Sequence, residues 1–239
     1  METKEFLRRY AYVYCYVAAF FLLCAGILRH SVEVSGPLEH FGSVPVIVID
    51  AGHGSPDGGA TGVTGAREDA LNLQIAKRLN MLLKLMGCET VMTRTTDDCI
   101  ATEGETIRQK KLSDLRNRVA QINALPLAVV VSIHQNHFPD GKYAGPQVFY
   151  TAEAENLALE IQESLSSCLL PGSKRAAKET TGVYLMEHIA HPGILVECGF
   201  LSNYDEERKL QSAEYQKKIA VILSAALAKN LFHTAKSPA

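Results

Sequence analysis

The sequence predicts an α/β fold: a single domain with a twisted, mostly parallel β-sheet flanked by helices. Three observations predict it. Continuous apolar runs bounded by turn residues recur, as in Pro45-Val-Ile-Val-Ile-Asp50 and Ala128–Ile133, a texture that suits strands covered on both faces. Stretches with apolar residues at helical spacing fill the gaps between them. Strand and helix alternate along the chain, the order of parallel strands joined by crossovers.

The elements follow in order. Residues 1–30 form a separate segment, in which Tyr10–Leu28 carries no charge and is about long enough to cross a bilayer core. Lys4, Arg8 and Arg9 precede the stretch and Arg29 follows it. That asymmetry puts the N-terminus in the cytoplasm and exports the remainder. The stretch around Cys24-Ala25-Gly26 makes a poor cleavage site, and Leu23 does not suit a lipoprotein signal. An N-terminal hydrophobic helix acting as a membrane anchor is therefore expected rather than a cleaved signal. Residues 31–44 read as a polar linker, and residues 45–233 as the domain.

Within the domain, strands are expected at Val46–Asp50, Cys88–Met92, Ala128–Ile133 and Gly193–Val196. Shorter candidates lie at Gln147–Tyr150 and Val183–Leu185. Leu71, Ile75, Leu79, Leu82 and Met86 mark a first helix that Gly87 is placed to end. Leu112, Leu115, Val119 and Ile122 mark a second, with Ser113 near its cap. Leu157, Ile161 and Leu165 mark a third, and Tyr215, Ile219, Ile222 and Ala226 a C-terminal one. The polar segment Thr95–Lys111 is the one long connection expected to lack structure, and such loops often serve as lids or regulated insertions.

Composition narrows the function classes. A net charge of −2 supplies no basic footprint for nucleic acid. The absence of tryptophan argues against a large aromatic platform for carbohydrate. The six cysteines include no CxxC pair, so the zinc-finger reading fails and buried free thiols are expected.

Four residues carry the chemistry, each at or near the end of an apolar run. His53 sits between Gly52 and Gly54, where the backbone can approach an ion or substrate closely. Glu68 opens a helix, a position where a carboxylate commonly just complements the macrodipole; Asp69 is the alternative. His134 ends the most apolar strand, with His137 as its alternative and Asn136 as a neighbour able to touch substrate. Glu197 lies among apolar residues in Val196-Glu197-Cys198-Gly199-Phe200, so it is either half of an ion pair or a functional carboxylate with a raised pKa. Two histidines and a carboxylate form the ligand set of a catalytic zinc with an open position, beside which a further glutamate can handle protons.

The motifs Asp50-x-Gly-His53-Gly, Glu68-x-x-x-Asn72-Leu, Thr93-Arg94-x-x-Asp97, Arg118-x-x-x-x-Asn123, Ser132-Ile-His134-x-Asn136 and Leu195-Val-Glu197-x-Gly-Phe200-x-Ser-Asn203 occur in that order. Together they resemble the zinc-dependent N-acetylmuramoyl-L-alanine amidases of the type-3 catalytic family, across roughly residues 46–231. The resemblance implies a zinc amidase/exopeptidase-like fold, Zn2+ held by His53, Glu68 and His134, and Glu197 as the catalytic glutamate. It also implies peptidoglycan as the substrate and cleavage between the lactyl group of muramic acid and L-alanine. Many members read GHGG where Ser55 stands here, a change expected to alter loop shape and spare the ligands. The short chain and the run from Thr181 to Glu197 resemble the germination-specific members that process spore cortex towards muramic-δ-lactam. On that reading the enzyme is extracytoplasmic, tethered to the membrane by its N-terminal segment or secreted after cleavage, and an activating protein partner is left open. A wall-binding module without catalysis, or a zinc peptidase, are the alternatives.

Overall fold

A computed structural model describes residues 44–234, with the side chains of 231–234 left out. The expected hydrophobic helix at Tyr10–Leu28 and residues 31–43 of the linker lie outside the described residues. Among the described residues no helix is long and apolar enough to cross a membrane.

Six strands form one sheet in the order β2-β1-β3-β6-β4-β5. They are β1 (Val46–Ala51), β2 (Thr90–Met92), β3 (Ala128–Asn136), β4 (Gln147–Tyr150), β5 (Lys178–Glu179) and β6 (Gly193–Phe200). All pairings are parallel except β4 against β6. The helices are α1 (Glu68–Leu85), α2 (Ile107–Asn123), α3 (Glu155–Leu169), α4 (Tyr184–His188), α5 (Tyr204–Leu210) and α6 (Ala213–Thr234). The expected mostly parallel sheet with flanking helices is the one observed.

Period-two alternation divides the strands between two cores. Ile47, Ile49 and Ala51 of β1, Val131 and Ile133 of β3, and Ile194, Val196 and Cys198 of β6 pack with residues of α1, α3 and α6. Val48, Val130 and Leu195 face the other way, towards Ile122 of α2 and Leu185 and Met186 of α4. By the same alternation Asp50, Ser132, His134 and Glu197 belong to the second face. Asp50 pairs in register with Ser132, and His134 with Glu197. The chain leaves β1 towards β2 on one side and returns to β3 on the other. The C-terminal ends of β1 and β3 therefore flank the switch point where sites gather in open α/β sheets.

Several local expectations are corrected. Val183–Leu185 is not a strand: residues from Tyr184 onward form α4, and a three-residue apolar run cannot distinguish the two conformations. The segment Thr95–Lys111 is irregular only to Thr106. Helix α2 begins at Ile107, with a capping box in which the Thr106 hydroxyl accepts from Gln109 N and the Gln109 side chain accepts from Thr106 N. Its first turns are exposed and polar, so apolar periodicity missed them. Ser113 is buried inside α2 rather than at its cap, and its hydroxyl accepts from Thr102 N and Glu103 N. Of the four cysteines described, Cys88 and Cys198 are buried free thiols, whereas Cys99 is half-buried and Cys168 exposed.

Candidate metal centre and active site

The three sequence-predicted ligands converge. Glu68, the first residue of α1, is buried, and its Oε1 lies 2.9 Å from His134 Nδ1 and 3.3 Å from His53 Nε2. One donor atom from each of the three residues lies within 4.8 Å of the others. Four ligands about 2.1 Å from a tetrahedral ion stand about 3.4 Å apart, so the cluster has the dimensions of a zinc site with a vacant position. Two imidazoles and one carboxylate are also the donor chemistry that suits zinc.

Local sequence explains the convergence. His53 follows β1 by two residues and adopts φ 61°, the one positive φ of a non-glycine residue among those described. That conformation costs about 1 kcal/mol or more and persists where surrounding contacts impose it. The His53 Nδ1 lies 2.9 Å from Asp57 Oδ2, which also pairs with Lys111 at 3.0 Å. A carboxylate behind a histidine fixes its tautomer and ring orientation, here leaving Nε2 facing Glu68 and free to take a cation. The Gly54–Asp57 turn, closed by reciprocal backbone bonds of 3.0 and 2.9 Å, presents Asp57. Gly52 must lack a side chain, because a Cβ there would sit 2.3 Å from His134 Nε2. Gly59, at φ 65°, is similarly crowded by the Glu68 carboxylate and His53. Ser55, in place of the second glycine of GHGG, ties its backbone to the following loop: its N donates to Asp97 O and its O accepts from Cys99 N.

The second oxygen of Glu68 accepts from Ala60 N at 2.8 Å, while Oε1 accepts from Gln135 N at 3.1 Å. Burial acts against the Glu68 charge, but His134 and His53 outweigh it and hold the carboxyl far below its usual range. His53 responds in the opposite sense. Burial alone would depress it, yet Asp57 and Glu68 raise it to about 9. The cluster therefore favours positive charge at its centre, which a divalent cation supplies in place of protons.

Glu197 stands directly across from His134 in the β3–β6 pairing, and its Oε2 is sealed from solvent without a hydrogen-bond partner. No ion pair neutralises it among the described residues. Burial, foremost, pushes its carboxyl up to about 7 against the opposing pull of His134. A half-buried carboxyl with one sealed, unused oxygen beside two histidines and a carboxylate is poised to gain and release a proton near neutral pH.

The alternatives named from sequence are not part of the cluster. Asp69 is engaged by Arg67 through two hydrogen bonds of 3.1 and 2.7 Å, and His137 is exposed. Sequence reading gave no role to the buried layer beneath the cluster. There Arg118, Asp50, Thr93 and Ser132 interlock, and Arg94 donates to Ala51 O, Gly52 O and Asp69 O at 2.8, 3.0 and 2.8 Å. Neither guanidinium could be placed from its motif alone, because arginine is expected at the surface. Asp57 carried one signal, a carboxylate four residues beyond a glycine-flanked histidine.

A doubly wound α/β sheet with a two-histidine, one-carboxylate cluster and a half-buried glutamate at its switch point defines a class of hydrolytic enzymes with a candidate metal centre. Comparison with known proteins fixes the family. Residues 47–229 match the profile of the N-acetylmuramoyl-L-alanine amidase domain Amidase_3, and the chain belongs to that family. It is 40% identical over 179 residues to the germination-specific N-acetylmuramoyl-L-alanine amidase of Bacillus subtilis, covering 73% of this chain and 75% of the relative. Among solved structures, it resembles the CwlD amidase of Clostridioides difficile, solved in complex with the GerS lipoprotein. The TM-score is 0.75 at 33% identity, over 80% of this chain and 99% of that one. Amidase AmiC2 of Nostoc punctiforme matches with a TM-score of 0.67 at 27% identity, over 79% of this chain and 97% of that one. The enzyme is therefore an N-acetylmuramoyl-L-alanine amidase acting on peptidoglycan.

Proposed function

We propose that His53, Glu68 and His134 hold a zinc ion and that Glu197 carries the proton in cleaving the amide between the lactyl group of muramic acid and L-alanine. The observation that carries this reading is the placement of Glu197 across from His134, with a carboxyl raised to about 7 and one oxygen unpartnered. Zinc held by the three ligands would polarise the scissile carbonyl and bring the pKa of water down to about 7. Glu197 accepts a proton from the attacking water, then delivers it to the departing alanine nitrogen. Its carboxyl returns to the starting state at the end of the cycle. Asp57 keeps the His53 ring turned so that Nε2 faces Glu68, and the buried Glu68 spans the two histidines. The strand pairing that sets His134 opposite Glu197 fixes base and ligand in one rigid frame.

The proposal extends to the spore cortex and to muramic-δ-lactam formation. Its support is the 40% identity to a relative named for germination and the resemblance of the run from Thr181 to Glu197. Export with membrane tethering by Tyr10–Leu28 belongs to the same proposal. A protein partner does too, since a relative was solved in complex with a lipoprotein. Digestion of purified peptidoglycan followed by identification of new termini tests the reaction. New L-alanine amino termini are expected. Other new amino termini would mean a peptidase, and a zinc-loaded protein that binds but releases nothing would mean a wall-binding module. Spores lacking the enzyme should lack muramic-δ-lactam, and normal lactam content would overturn the cortex assignment.

A further inference from the structure

We propose that Arg118 is the positioning residue that holds His53 in its metal-binding conformation. The inference rests on the zinc reading of the cluster. His53 adopts φ 61°, an uncommon conformation for a non-glycine residue and one that persists where surrounding contacts impose it. The Nη2 of Arg118 donates to the carbonyl of that same residue at 2.5 Å. The remaining donors of the guanidinium anchor it from the other sides. Nη1 reaches Asp50 Oδ1 at 2.6 Å and Ala51 O at 2.7 Å, with a longer approach to Thr93 Oγ1 at 3.5 Å. Nε reaches Asp114 Oδ2 at 2.8 Å, one turn earlier on α2.

Arg118 is 1% exposed, so no water competes for these bonds. A planar fork with three nitrogens in fixed relation is what this junction requires. One arm closes on a carboxylate and the carbonyl of Ala51, and the other on the carbonyl of His53 two residues further along. The Asp50 carboxylate in turn accepts from Ser132 Oγ at 2.5 Å, two residues before His134 on the same face of β3. The two histidines are thus referred to one another through Arg118, Asp50 and Ser132, from beneath the cluster. Neither Arg118 nor Asp50 is among the residues whose donor atoms converge on the metal position. Arg118 therefore acts through His53 and touches neither the ion nor the substrate.

A merely structural buried arginine would lower stability when replaced and leave metal affinity of the folded protein untouched. Arg118→Lys separates these outcomes, because lysine keeps the charge beside Asp50 but cannot span to the His53 carbonyl in the same geometry. The full chain is loaded with Zn2+ or Co2+ in competition with a chelator of known affinity, well below its unfolding temperature. Zinc affinity should fall about 10–100-fold, the loss found when supporting partners of metal ligands are removed. The visible absorption of the Co2+ form should change in shape. Leu165→Ala, a core truncation in α3 remote from the cluster, serves as the comparison and should lose stability with zinc affinity unchanged. Should Arg118→Lys fail to fold, Asp114→Asn takes its place. It frees one anchor of the guanidinium while leaving Asp50 paired, and a smaller loss of the same kind is expected.

Wild-type zinc affinity and cobalt spectrum retained in the folded variant would overturn the positioning role. Wild-type protein that binds neither metal would instead overturn the zinc reading on which it rests.

Discussion

Replacing Glu197 by glutamine separates the chemistry of this residue from its cost to the fold. Two effects of opposite kind are expected. A positioned proton carrier contributes about 10²–10⁴-fold to rate, so turnover of peptidoglycan should fall about 10³-fold, equivalent to about 4 kcal/mol of barrier. Zinc content should be unchanged, because Glu197 is not among the three converging residues. The second effect concerns stability in the zinc-free protein. Burial raises the Glu197 carboxyl from 4.5 to about 7. A carboxyl whose pKa is higher folded than unfolded binds its proton more tightly in the folded state. Its contribution is fully present below about 4.5 and is lost as pH rises through about 7. That difference corresponds to about 3 kcal/mol between the two ends of the window. Wild-type stability should therefore drop by up to about 3 kcal/mol more than that of Glu197→Gln between pH 4.5 and 8. Denaturant unfolding in the presence of a chelator across that range measures it. Parallel stability curves, or a Glu197→Gln enzyme with wild-type turnover, would refute the reasoning.

The other predictions concern the frame around the cluster. His53→Ala and His134→Ala should lose zinc by elemental analysis, and activity removed by a chelator should return when zinc is restored to the wild type. Gly52→Ala should fold but lose zinc and activity, because its Cβ would fall 2.3 Å from the His134 ring. Asp57→Ala should weaken zinc binding by about 10–100-fold, in a chelator competition, through loss of the partner behind His53. Asp50→Asn leaves the buried Arg118 guanidinium with Asp114 as its remaining carboxylate and should destabilise by about 1.5–3 kcal/mol, the worth of a hydrogen bond to a charged group, in thermal or denaturant unfolding. In the wild type, burial opposes the Asp50 charge, but Arg118, Ser132 and Thr93 hold its carboxyl at about 2. Its stabilising share should persist above about pH 4 and disappear as pH falls through 2.

The sheet was legible because its central strands are buried on both faces and read as unbroken apolar runs. Val46–Asp50, Ala128–Ile133 and Gly193–Val196 announce themselves in this way, and the strands run on past them to Ala51, Asn136 and Phe200. Elements without such burial were not legible. Strand β5 consists of Lys178 and Glu179, both exposed. The first turn of α2 is polar, and the short α5 is marked only by its Asn203 cap, whose side chain accepts from Asp205 N and Glu206 N. The same physics governs the site. His53, His134 and Glu197 could be suspected because polar side chains at the ends of apolar runs have few ordinary explanations. Glu68 has an ordinary one at a helix start, and its approach to both histidines emerged only from the fold. Arg118 and Asp50 meet across 68 positions in the chain, a contact that no local pattern encodes.

Diffraction from crystals of the zinc-loaded enzyme, recorded on both sides of the zinc absorption edge, tests the central claim most directly. A single anomalous peak is expected between the two imidazoles and the Glu68 carboxylate, about 2.0–2.2 Å from each ligand atom. Glu197 should lie near that peak without coordinating it. A peak at Asp69 or His137, or an enzyme that cleaves peptidoglycan with no zinc at this position, would contradict the account.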